Sequence, residues 1–266
     1  MAKRSKPRSS SVASSGATRE LRLLSLRGIP EIHPGHDLVK CVTSAARRAA
    51  IRFENGDILV IAQKIVSKAE GAVVRLTEVK PSRKARSLAA QLKKDPRAVQ
   101  VVLNESRRIV RSDHVLITET RHGFVCANAG VDHSNVAGHD RVTLLPRNPD
   151  RSARKLAIAM REQTGKHVAV IISDTFGRPW RLGLTNVAIG AAGVPVLLDL
   201  RGTRDRQGKL LSATILAVAD ELAAAAGLLM DKSQGSPVVL IRGYRYKPRF
   251  EPAAGIIRSA AEDLFR

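Results

Sequence analysis

The chain has 266 residues, 44% of them hydrophobic and 26% charged, so it can bury the core of one large domain or two small ones. Only 3% of the residues are aromatic, which argues against a stacking platform for single-stranded nucleic acid. The formal net charge of +21 favours polyanionic partners such as nucleic acid, a membrane surface or substrates rich in phosphate and carboxylate. A solvated, arginine-rich surface explains the same charge equally well.

The N-terminal segment MAKRSKPRSSSVASSGATRE, residues 1–20, is rich in serine and basic residues and lacks the apolar core of a secretory signal. We predict a disordered basic tail over this segment and one folded catalytic unit over residues 21–266. The two cysteines, Cys41 and Cys126, lie outside any CxxC spacing, and no run of about 18 apolar residues occurs. The sequence therefore predicts a cytoplasmic protein with reduced, buried thiols and no transmembrane helix.

The first half of the chain predicts alternating strands and helices. A strand begins near Leu21, and a helix over residues 39–50, capped by Asp37, follows it. The apolar run over residues 58–61 predicts a buried strand that ends in a polar turn. Another helix begins near Ser82, and the segment RAVQVVLNESRRIVR, although ambiguous, favours a short helix.

The second half continues the alternation. HVLITETRHGFVCANAG predicts a hairpin with its turn at residues 122–123, and a helix capped by Asp150 ends at Gly165. HVAVIIS is a buried strand running into a turn broken by glycine and proline, and TNVAIGAAGVPVLLD is a strand pair or a glycine-rich packed segment. A long alanine-rich helix, a strand at SPVVLIRG and a closing helix complete the chain. The irregular order is compatible with an α+β fold or with an α/β fold that has a mixed sheet, and we predict the α+β fold with a mixed sheet.

Three polar clusters follow apolar strands, where a rigid scaffold can present reacting groups to solvent. They are VSKAEG, CANAGVDHSN and SDTFGRPWR, and they contain Lys68, Asp132 and Asp174 respectively. Carboxylates from two separate turns, one beside the hydroxyl of Thr175, suit a hard cation such as Mg²⁺ or Mn²⁺. Lys68 would add a point charge for phosphate, and the arginines of the third cluster can bind an oxyanion with two hydrogen bonds.

Each of these residues also has an ordinary structural interpretation. Asp132 and Asp174 are common residues of polar turns, and Lys68 with Glu70 can form a solvated ion pair. His133 is more typical of a surface, because hard cations prefer oxygen ligands. Neither a GxxxxGK[ST] loop nor a GxGxxG loop after a strand occurs. The residue types alone therefore leave open both a metal–phosphate site and a set of polar turns.

Several segments together resemble the coenzyme F(420)-0:L-glutamate ligase family, also called coenzyme F(420):γ-glutamyl ligases. In chain order they are GIPEI, GDILVIAQKIVSKAEG, HGFVCANAGVDHSN, PDRSA, VAVIISDTFGRPWR and VADELAAAAGLLM with GSPVVLIRG. The resemblance implies GTP-dependent addition of L-glutamate to the lactyl carboxylate of coenzyme F(420)-0, through an acyl phosphate and with release of GDP and phosphate. A γ-linked second glutamate can follow. It also implies the family's own fold, an intertwined homodimer, two divalent cations (Mg²⁺ or Mn²⁺) and a monovalent cation such as K⁺.

Matching the motifs implies two sets of site residues and no assigned catalytic residue. The metal ligands would be Asp132, Asp174, Thr175 and Gln234. The GTP contacts would be Ile29, Pro30, Glu31, Ile32, Gln63, Lys64, Lys68, Asn135, Met230, Asp231, Lys232, Ser233, Gln234, Gly235, Ser236 and Pro237. Gln63 and Lys64 stand where the family often has small hydroxyl residues, and Gln234 where an acid is common. A neutral amide ligand weakens a cation site or shifts its metal preference.

Two other functions remain open. The same fold could join another carboxylate acceptor to glutamate or to a different amino acid. A nucleic-acid-binding protein would explain the charge and the basic tail, although the few aromatic residues and the lack of a known reading motif argue against it. We expect small-molecule substrates, a homodimer and no membrane association.

Overall fold

The computed structural model describes residues 18–133, 140–230 and 235–263. Within these ranges the chain forms twelve strands and six α-helices. The strands are β1 (Arg22–Ser25), β2 (Ile58–Ala62), β3 (Val73–Arg75), β4 (Ser106–Arg111), β5 (Ile117–Thr120), β6 (Val125–Ala127), β7 (Arg141–Thr143), β8 (Ala169–Arg178), β9 (Arg181–Ala192), β10 (Leu198–Asp199), β11 (Ile215–Leu216) and β12 (Val238–Arg242). The helices are α1 (Leu38–Arg48), α2 (Gln63–Ala69), α3 (Arg83–Leu92), α4 (Pro96–Asn104), α5 (Pro149–Thr164) and α6 (Val218–Gly227).

Five strands form the central sheet in the order β1–β12–β2–β8–β9. Strands β2 and β8 run parallel, and the other neighbouring pairs are antiparallel. Smaller sheets pair β3 with β7, β10 with β11, and β4 with β5 and β6. The sheet is mixed and helices are interspersed among the strands, so the predicted α+β fold with a mixed sheet is confirmed.

Alternate residues of β2 enter two separate hydrophobic cores. Leu59 and Ile61 pack with residues of α1, α2 and α5 on one face of the central sheet. Ile58 and Val60 pack with residues of α6 on the other face. Because both faces are covered, the strand has an unbroken apolar sequence instead of an apolar–polar alternation. This double burial makes the central sheet a rigid base for the residues at its edge.

A third core lies beside the central sheet and supports the polar turn after β6. It joins α3 and α4 to Leu116, Ala129 and Val142, each of which is at most 2% exposed. Because Ala129 belongs to the turn itself, this core holds the turn in place.

The predicted helix boundaries are largely confirmed. The Asp37 carboxylate accepts a hydrogen bond from the N–H of Lys40, and the Ser82 hydroxyl accepts one from Ala85, so both are N-caps. Gly165 ends α5 in the left-handed conformation with φ of 68°. Hairpin β5–β6 also forms as predicted.

Asp150 is not the N-cap of α5, contrary to the prediction. Asn148 caps this helix by accepting from the N–H of Arg151, because Pro149 occupies the first helical position and the cap must precede it. The Asp150 carboxylate instead accepts hydrogen bonds from the N–H groups of Ala191 at 2.9 Å and Ala253 at 2.7 Å. It thereby ties the helix to β9 and to the C-terminal segment.

Several predicted elements near strand ends were wrong. Helix α2 follows β2 directly where a polar turn was expected, because its polar side chains are buried by contacts with distant loops. Strand β8 continues through the predicted turn and forms a hairpin with β9. Helix α6 is shorter than expected, and the ambiguous segment divides into helix α4 and strand β4.

The prediction of a helix at the end of the chain was also wrong within the described residues. That segment forms two short 3-10 turns, Ala253–Ile256 and Ala260–Glu262. Ala253 is fully buried, and its N–H donates to Asp150, so the tertiary contact sets the local conformation.

Other predictions concern the termini, the cysteines and the membrane. The predicted tail covers residues 1–20, and its first 17 residues lie outside the described residues. Both cysteines are free thiols, but only Cys126 is buried, whereas Cys41 is half-buried. None of the helices in the described ranges has the length and apolar character needed to cross a membrane.

Candidate functional site

The candidate site lies where the parallel pairing of β2 and β8 stops, at the carboxyl end of β2 and in the middle of the longer strand β8. Ala62 at the end of β2 pairs with Ser173 in β8, so the residues that follow these two positions lie side by side. These residues include Lys64, in the first turn of α2, and Asp174. The N–H of Ala62 donates to the carbonyl of Pro237 at 2.8 Å, which brings the segment before β12 to the same place. Such a strand edge is a usual place for a ligand site in sheets with parallel strands.

Helix α2 presents two lysines, one helical turn apart, to two different loops. The Lys68 ammonium contacts Oε1 of Glu31 at 2.5 Å, and the Lys64 ammonium contacts Oδ2 of Asp132 at 2.7 Å. Only 8% and 16% of the two lysine side chains are exposed. A buried ammonium group needs an anionic partner, because removing it from water is costly. The two ion pairs therefore hold the Glu31 and Asp132 loops against α2.

The other side of α2 is packed into the protein. Gln63 is 3% exposed, and its side-chain oxygen accepts a hydrogen bond from the hydroxyl of Ser67 at 2.8 Å. Ile32, from the loop that carries Glu31, is 2% exposed and belongs to the core next to α1 and α2. These contacts anchor the loop and the helix, so the positions of the charged groups are well defined.

A left-handed turn places Asp132. Asn128, Ala129 and Gly130 have φ angles of 52°, 53° and 71°, a conformation that costs free energy for the two residues with side chains. The turn is supported by a hydrogen bond from Lys94 Nζ to Asn128 Oδ1 at 2.9 Å. A Cβ atom on Gly130 would lie 2.6 Å from Leu145 Cγ, so the turn is also closely packed.

The backbone of Asp132 is fixed independently of its carboxylate. Its N–H donates to the carbonyl of Thr143 at 3.1 Å, and its carbonyl accepts from the N–H of Thr143 at 2.9 Å. The side chain is 39% exposed and points to Lys64. The carboxylate is therefore accessible to a ligand while its main chain is held by β7.

Asp174 and Thr175 lie in a hydrogen-bonded group on β8. Oδ1 of Asp174 accepts from the N–H of Thr175 at 2.8 Å, and the Thr175 hydroxyl donates to Oδ1 of Asn186 at 3.0 Å. The Asn186 amide donates to Sδ of Met230 at 3.3 Å, and the Ser173 hydroxyl lies 3.9 Å from the same sulfur. Met230 therefore attaches the segment after α6 to the strand that carries Asp174. The sequence contains no signal that would have indicated Asn186.

Cys126, in strand β6, lies close enough to Asp174 to interact with it electrostatically. Burial, followed by the negative charge of Asp174, raises the pKa of the Cys126 thiol to about 12. Strand β6, which contains Cys126, also contacts β8 directly. Asp132 follows β6 by one turn, so both predicted aspartates lie in the same part of the molecule. The thiol itself stays protonated at neutral pH and supplies no charge to the site.

Contacts and strand pairing link nine of the predicted residues at this edge: Glu31, Gln63, Lys64, Lys68, Asp132, Asp174, Thr175, Met230 and Pro237. The predicted residues Ile29, Pro30, Ile32, Gly235 and Ser236 are close to Glu31 or Pro237 in the chain. Asn135, Asp231, Lys232, Ser233 and Gln234 lie outside the described residues. The roles of all these residues in binding stay predictions.

The fit of a divalent cation can be judged from the donor groups. Asp132, Asp174 and Thr175 supply oxygen atoms only, which is the ligand chemistry that Mg²⁺ and Mn²⁺ prefer. The described ranges contain no cluster of three or more His, Cys, Asp or Glu side chains that could hold a metal ion. A cation here would therefore need further oxygen ligands from water or from substrate phosphates, which is common for Mg²⁺. It would also compete with Lys64 for the Asp132 carboxylate.

A basic cavity adjoins the Lys68–Glu31 pair. Its volume is about 220 Å³, and its lining includes Lys68, Arg75 and Arg141 together with Glu31 and His33. The sequence motifs do not indicate the two arginines, because Arg75 and Arg141 belong to short strands far apart in the chain. Their positions in the register of β3 and β7 bring them together.

A family model described as F420-0:Gamma-glutamyl ligase matches residues 28–243 of this chain, a range that contains every residue predicted for the site. The chain belongs to this family. The resemblance inferred from the sequence motifs is therefore confirmed.

This member of the F420-0:Gamma-glutamyl ligase family is similar to three curated relatives over most of their length. The coenzyme F420:L-glutamate ligase of Methanopyrus kandleri is 49% identical over 242 residues, which cover 89% of this chain and 94% of the relative. The protein of that name from Methanothermobacter thermautotrophicus is 48% identical, with 84% and 89% covered. The one from Methanocaldococcus jannaschii is 45% identical, with 80% and 86% covered.

Proposed function

We propose that the protein is a GTP-dependent ligase that adds L-glutamate to coenzyme F(420)-0. The observation that carries the proposal is the near full-length similarity, at 45–49% identity, to relatives named coenzyme F420:L-glutamate ligase. The basic and acidic groups where β2 ends beside β8 support it, since every proposed substrate is an anion, which a lysine can bind directly and a carboxylate through a bound cation. The high positive net charge is compatible with such substrates.

The proposed reaction has two steps. A carboxylate is a poor acyl donor at neutral pH, so the acceptor carboxylate attacks the γ-phosphorus of GTP, forming an acyl phosphate and releasing GDP. The amine of glutamate then attacks the acyl carbon, the bond to phosphate breaks, and an amide, inorganic phosphate and a proton result. Holding both reactants at one site makes the second step effectively unimolecular. A γ-linked second glutamate could be added by the same chemistry.

The site residues have proposed roles in this reaction. Lys64 and Lys68 lie on one helix, and each can exchange its carboxylate partner for a phosphate oxygen without leaving its charge unpaired. Asp132, Asp174 and Thr175, with Gln234, would hold the two divalent cations, which when bound neutralise the charge of the phosphates. GTP would be surrounded by Ile29, Pro30, Glu31 and Ile32, by Asn135 and by the segment 230–237. A K⁺ ion is compatible with the oxygen ligands of this site.

The reaction is tested by incubating the protein with coenzyme F(420)-0, L-glutamate, GTP and Mn²⁺. Mass spectrometry should detect a product heavier by one glutamyl unit, with GDP and phosphate formed in equal amounts. Replacing GTP by ATP should abolish most of the product. With hydroxylamine in place of glutamate, the acyl phosphate should be trapped as a hydroxamate. A folded protein that forms no glutamylated product under these conditions would refute the proposal, and product formed only from another carboxylate would redefine the acceptor.

We further propose that the protein forms a homodimer through the tip of the β8–β9 hairpin. Trp180, Leu182 and Leu184 are 78%, 98% and 66% exposed there, and contiguous apolar groups on a protruding hairpin are typical of an interface. Leu182 and Leu184 are two residues apart on one strand, so they face the same side. An intertwined dimer would cover this hairpin.

The dimer is tested by replacing Leu182 and Leu184 together with aspartate. The wild-type protein should sediment with twice the chain mass of 28.8 kDa, and the variant should sediment as a monomer at micromolar concentration. Leu210→Asp is the matched control, because Leu210 is 55% exposed and lies outside the hairpin. A wild-type protein that stays monomeric, or a double variant that stays dimeric, would contradict this interface.

A further inference from the structure

We infer that Lys68, Arg75 and Arg141 form a pocket for one phosphate group of a phosphate-bearing ligand. The pocket is the cavity of about 220 Å³ between the Glu31 loop, helix α2 and the small β3–β7 sheet. Neither Arg75 nor Arg141 belongs to the residues implied by the family motifs. The two ligands considered are the nucleotide and the phosphodiester-bearing acceptor. Both come from the proposed function, on which this inference therefore rests.

The two arginines are brought together by strand register. Strands β3 and β7 are antiparallel, and Arg75 lies directly opposite Arg141. Opposed residues of such a pair project from the same side of the sheet, and both line the cavity. The neighbouring pair, Val74 and Val142, must project from the other side, where Val142 is fully buried in the third core. A shift of register would expose Val142, so the hydrophobic core fixes the arginines on the cavity side.

The arginine pair is unfavourable in the absence of an anion. Like charges directly opposite each other in a ladder destabilise a sheet. Arg75 also contacts Glu78 at 3.6 Å, but their side chains are 59% and 68% exposed, so this ion pair contributes little. An anion bridging the two guanidinium groups would remove the repulsion.

Lys68 completes the pocket and suits it to phosphate. Its side chain is 8% exposed, whereas the carboxylate of its partner Glu31 is 58% exposed. An entering oxyanion can therefore take the place of Glu31, which is free to become solvated, while the buried lysine keeps a counter-charge. Three cations converge on one small cavity, and the planar guanidinium groups can each donate two parallel hydrogen bonds to a phosphate. A phosphate uses this arrangement better than a carboxylate, because it offers more oxygen atoms and more charge.

The test compares ligand binding by the wild-type protein, the double variant Arg75→Gln/Arg141→Gln, and Arg86→Gln. Arg86 is an exposed arginine of α3 that does not line the cavity, so it controls for the loss of positive charge. Isothermal titration with GDP, with coenzyme F(420)-0 and with inorganic phosphate gives the affinities. Thermal unfolding without any of them gives the intrinsic stability.

We expect the double variant to bind one of the two ligands about tenfold or more weakly than the wild-type protein, with a smaller salt dependence. Weaker binding of GDP would identify the nucleotide as the source of the phosphate, and weaker binding of coenzyme F(420)-0 would identify the acceptor. Without ligand, the double variant should unfold at the wild-type temperature or slightly above it, because the repulsion is removed. Arg86→Gln should match the wild-type protein, and Arg75→Lys should retain part of the affinity.

Failure of this inference is distinguishable from failure of the proposed function. Wild-type affinity of the double variant for both GDP and coenzyme F(420)-0 would overturn the phosphate pocket, even if the protein forms the glutamylated product. Loss of GDP binding in the double variant would support the pocket even if the wild-type protein forms no such product.

Discussion

Replacing Asp132 or Asp174 by asparagine is expected to lower the rate of glutamyl addition about 100-fold or more while leaving the protein folded. Asparagine has the shape of aspartate but no charge, so it cannot neutralise a divalent cation. The backbone of Asp132 is held by Thr143, and the hydrogen bond from the Thr175 N–H to Asp174 can be made by an amide oxygen as well. The fold should therefore tolerate both changes.

The measurement is the initial rate of glutamylated product, with circular dichroism as the check on folding and titration with Mn²⁺ as a second readout. Asp113→Asn serves as the control, because the exposed Asp113 forms a comparably short contact with Arg111 at 2.8 Å and is not one of the predicted site residues. This control should keep wild-type rates and Mn²⁺ affinity. Unchanged rates and unchanged Mn²⁺ affinity in both site variants would exclude the proposed cation site.

The charge of Lys64 affects the stability of the Asp132→Asn variant. Asp132→Asn leaves this 16%-exposed lysine facing a neutral amide, which should cost some stability independently of catalysis. Adding Lys64→Gln to Asp132→Asn removes the buried charge and should restore stability. It should not restore glutamyl addition. Recovery of the rate in this double variant would show that Asp132 acts only as the partner of Lys64.

Gly190→Ala is expected to lower the free energy of unfolding by about 3 kcal/mol, near the upper end of the usual cost of overpacking. A Cβ atom at this position in β9 would lie 2.5 Å from both the carbonyl carbon and the oxygen of Pro149. These are backbone atoms at the start of α5, so no side-chain rotation can relieve the clash. The helix would have to move away from the sheet, and the hydrogen bond from Ala191 to Asp150 would weaken.

Chemical denaturation of Gly190→Ala and of a matched glycine variant tests this prediction. Gly177→Ala is the control, since Gly177 belongs to the paired strand β8 and the nearest atom to its added Cβ would be Leu184 Cδ2 at 3.9 Å. It should unfold at the wild-type denaturant concentration or slightly above it, because alanine restricts the unfolded chain. Equal midpoints for the two variants would show that α5 can shift away from β9 at little cost.

Local signals in the sequence were sufficient to predict the helix ends that are fixed by short-range hydrogen bonds. Asp37, Ser82 and Gly165 act at helix ends through groups within four residues, so their types and spacing indicated the helix ends correctly. Asp150 was misassigned as an N-cap because its carboxylate accepts hydrogen bonds from Ala191 and Ala253, which lie 41 and 103 positions further along the chain. No local pattern distinguishes such an acceptor from an ordinary cap.

Helix α2 shows why the surroundings of the site could not be predicted. Its sequence QKIVSKA contains four polar residues, which favoured a turn, yet Gln63, Ser67 and Lys68 are buried. Lys64 and Lys68 can be buried only because their anionic partners, 68 and 37 positions away, are brought to them by tertiary packing. The opposition of Arg75 and Arg141 likewise depends on register, which is a property of two distant strands.

The sequence by itself determined the family of the protein, the mixed α+β architecture and the residue types of the candidate site, because family motifs, apolar runs and helix caps are local properties of the chain. The tertiary structure alone decided which charges meet. It paired Lys64 with Asp132 and Lys68 with Glu31, and it placed Asp174 near Cys126 in β6. It also set the two arginines around one cavity. Burial in a folded core is what makes these charge pairings necessary, and long-range packing is what makes them possible.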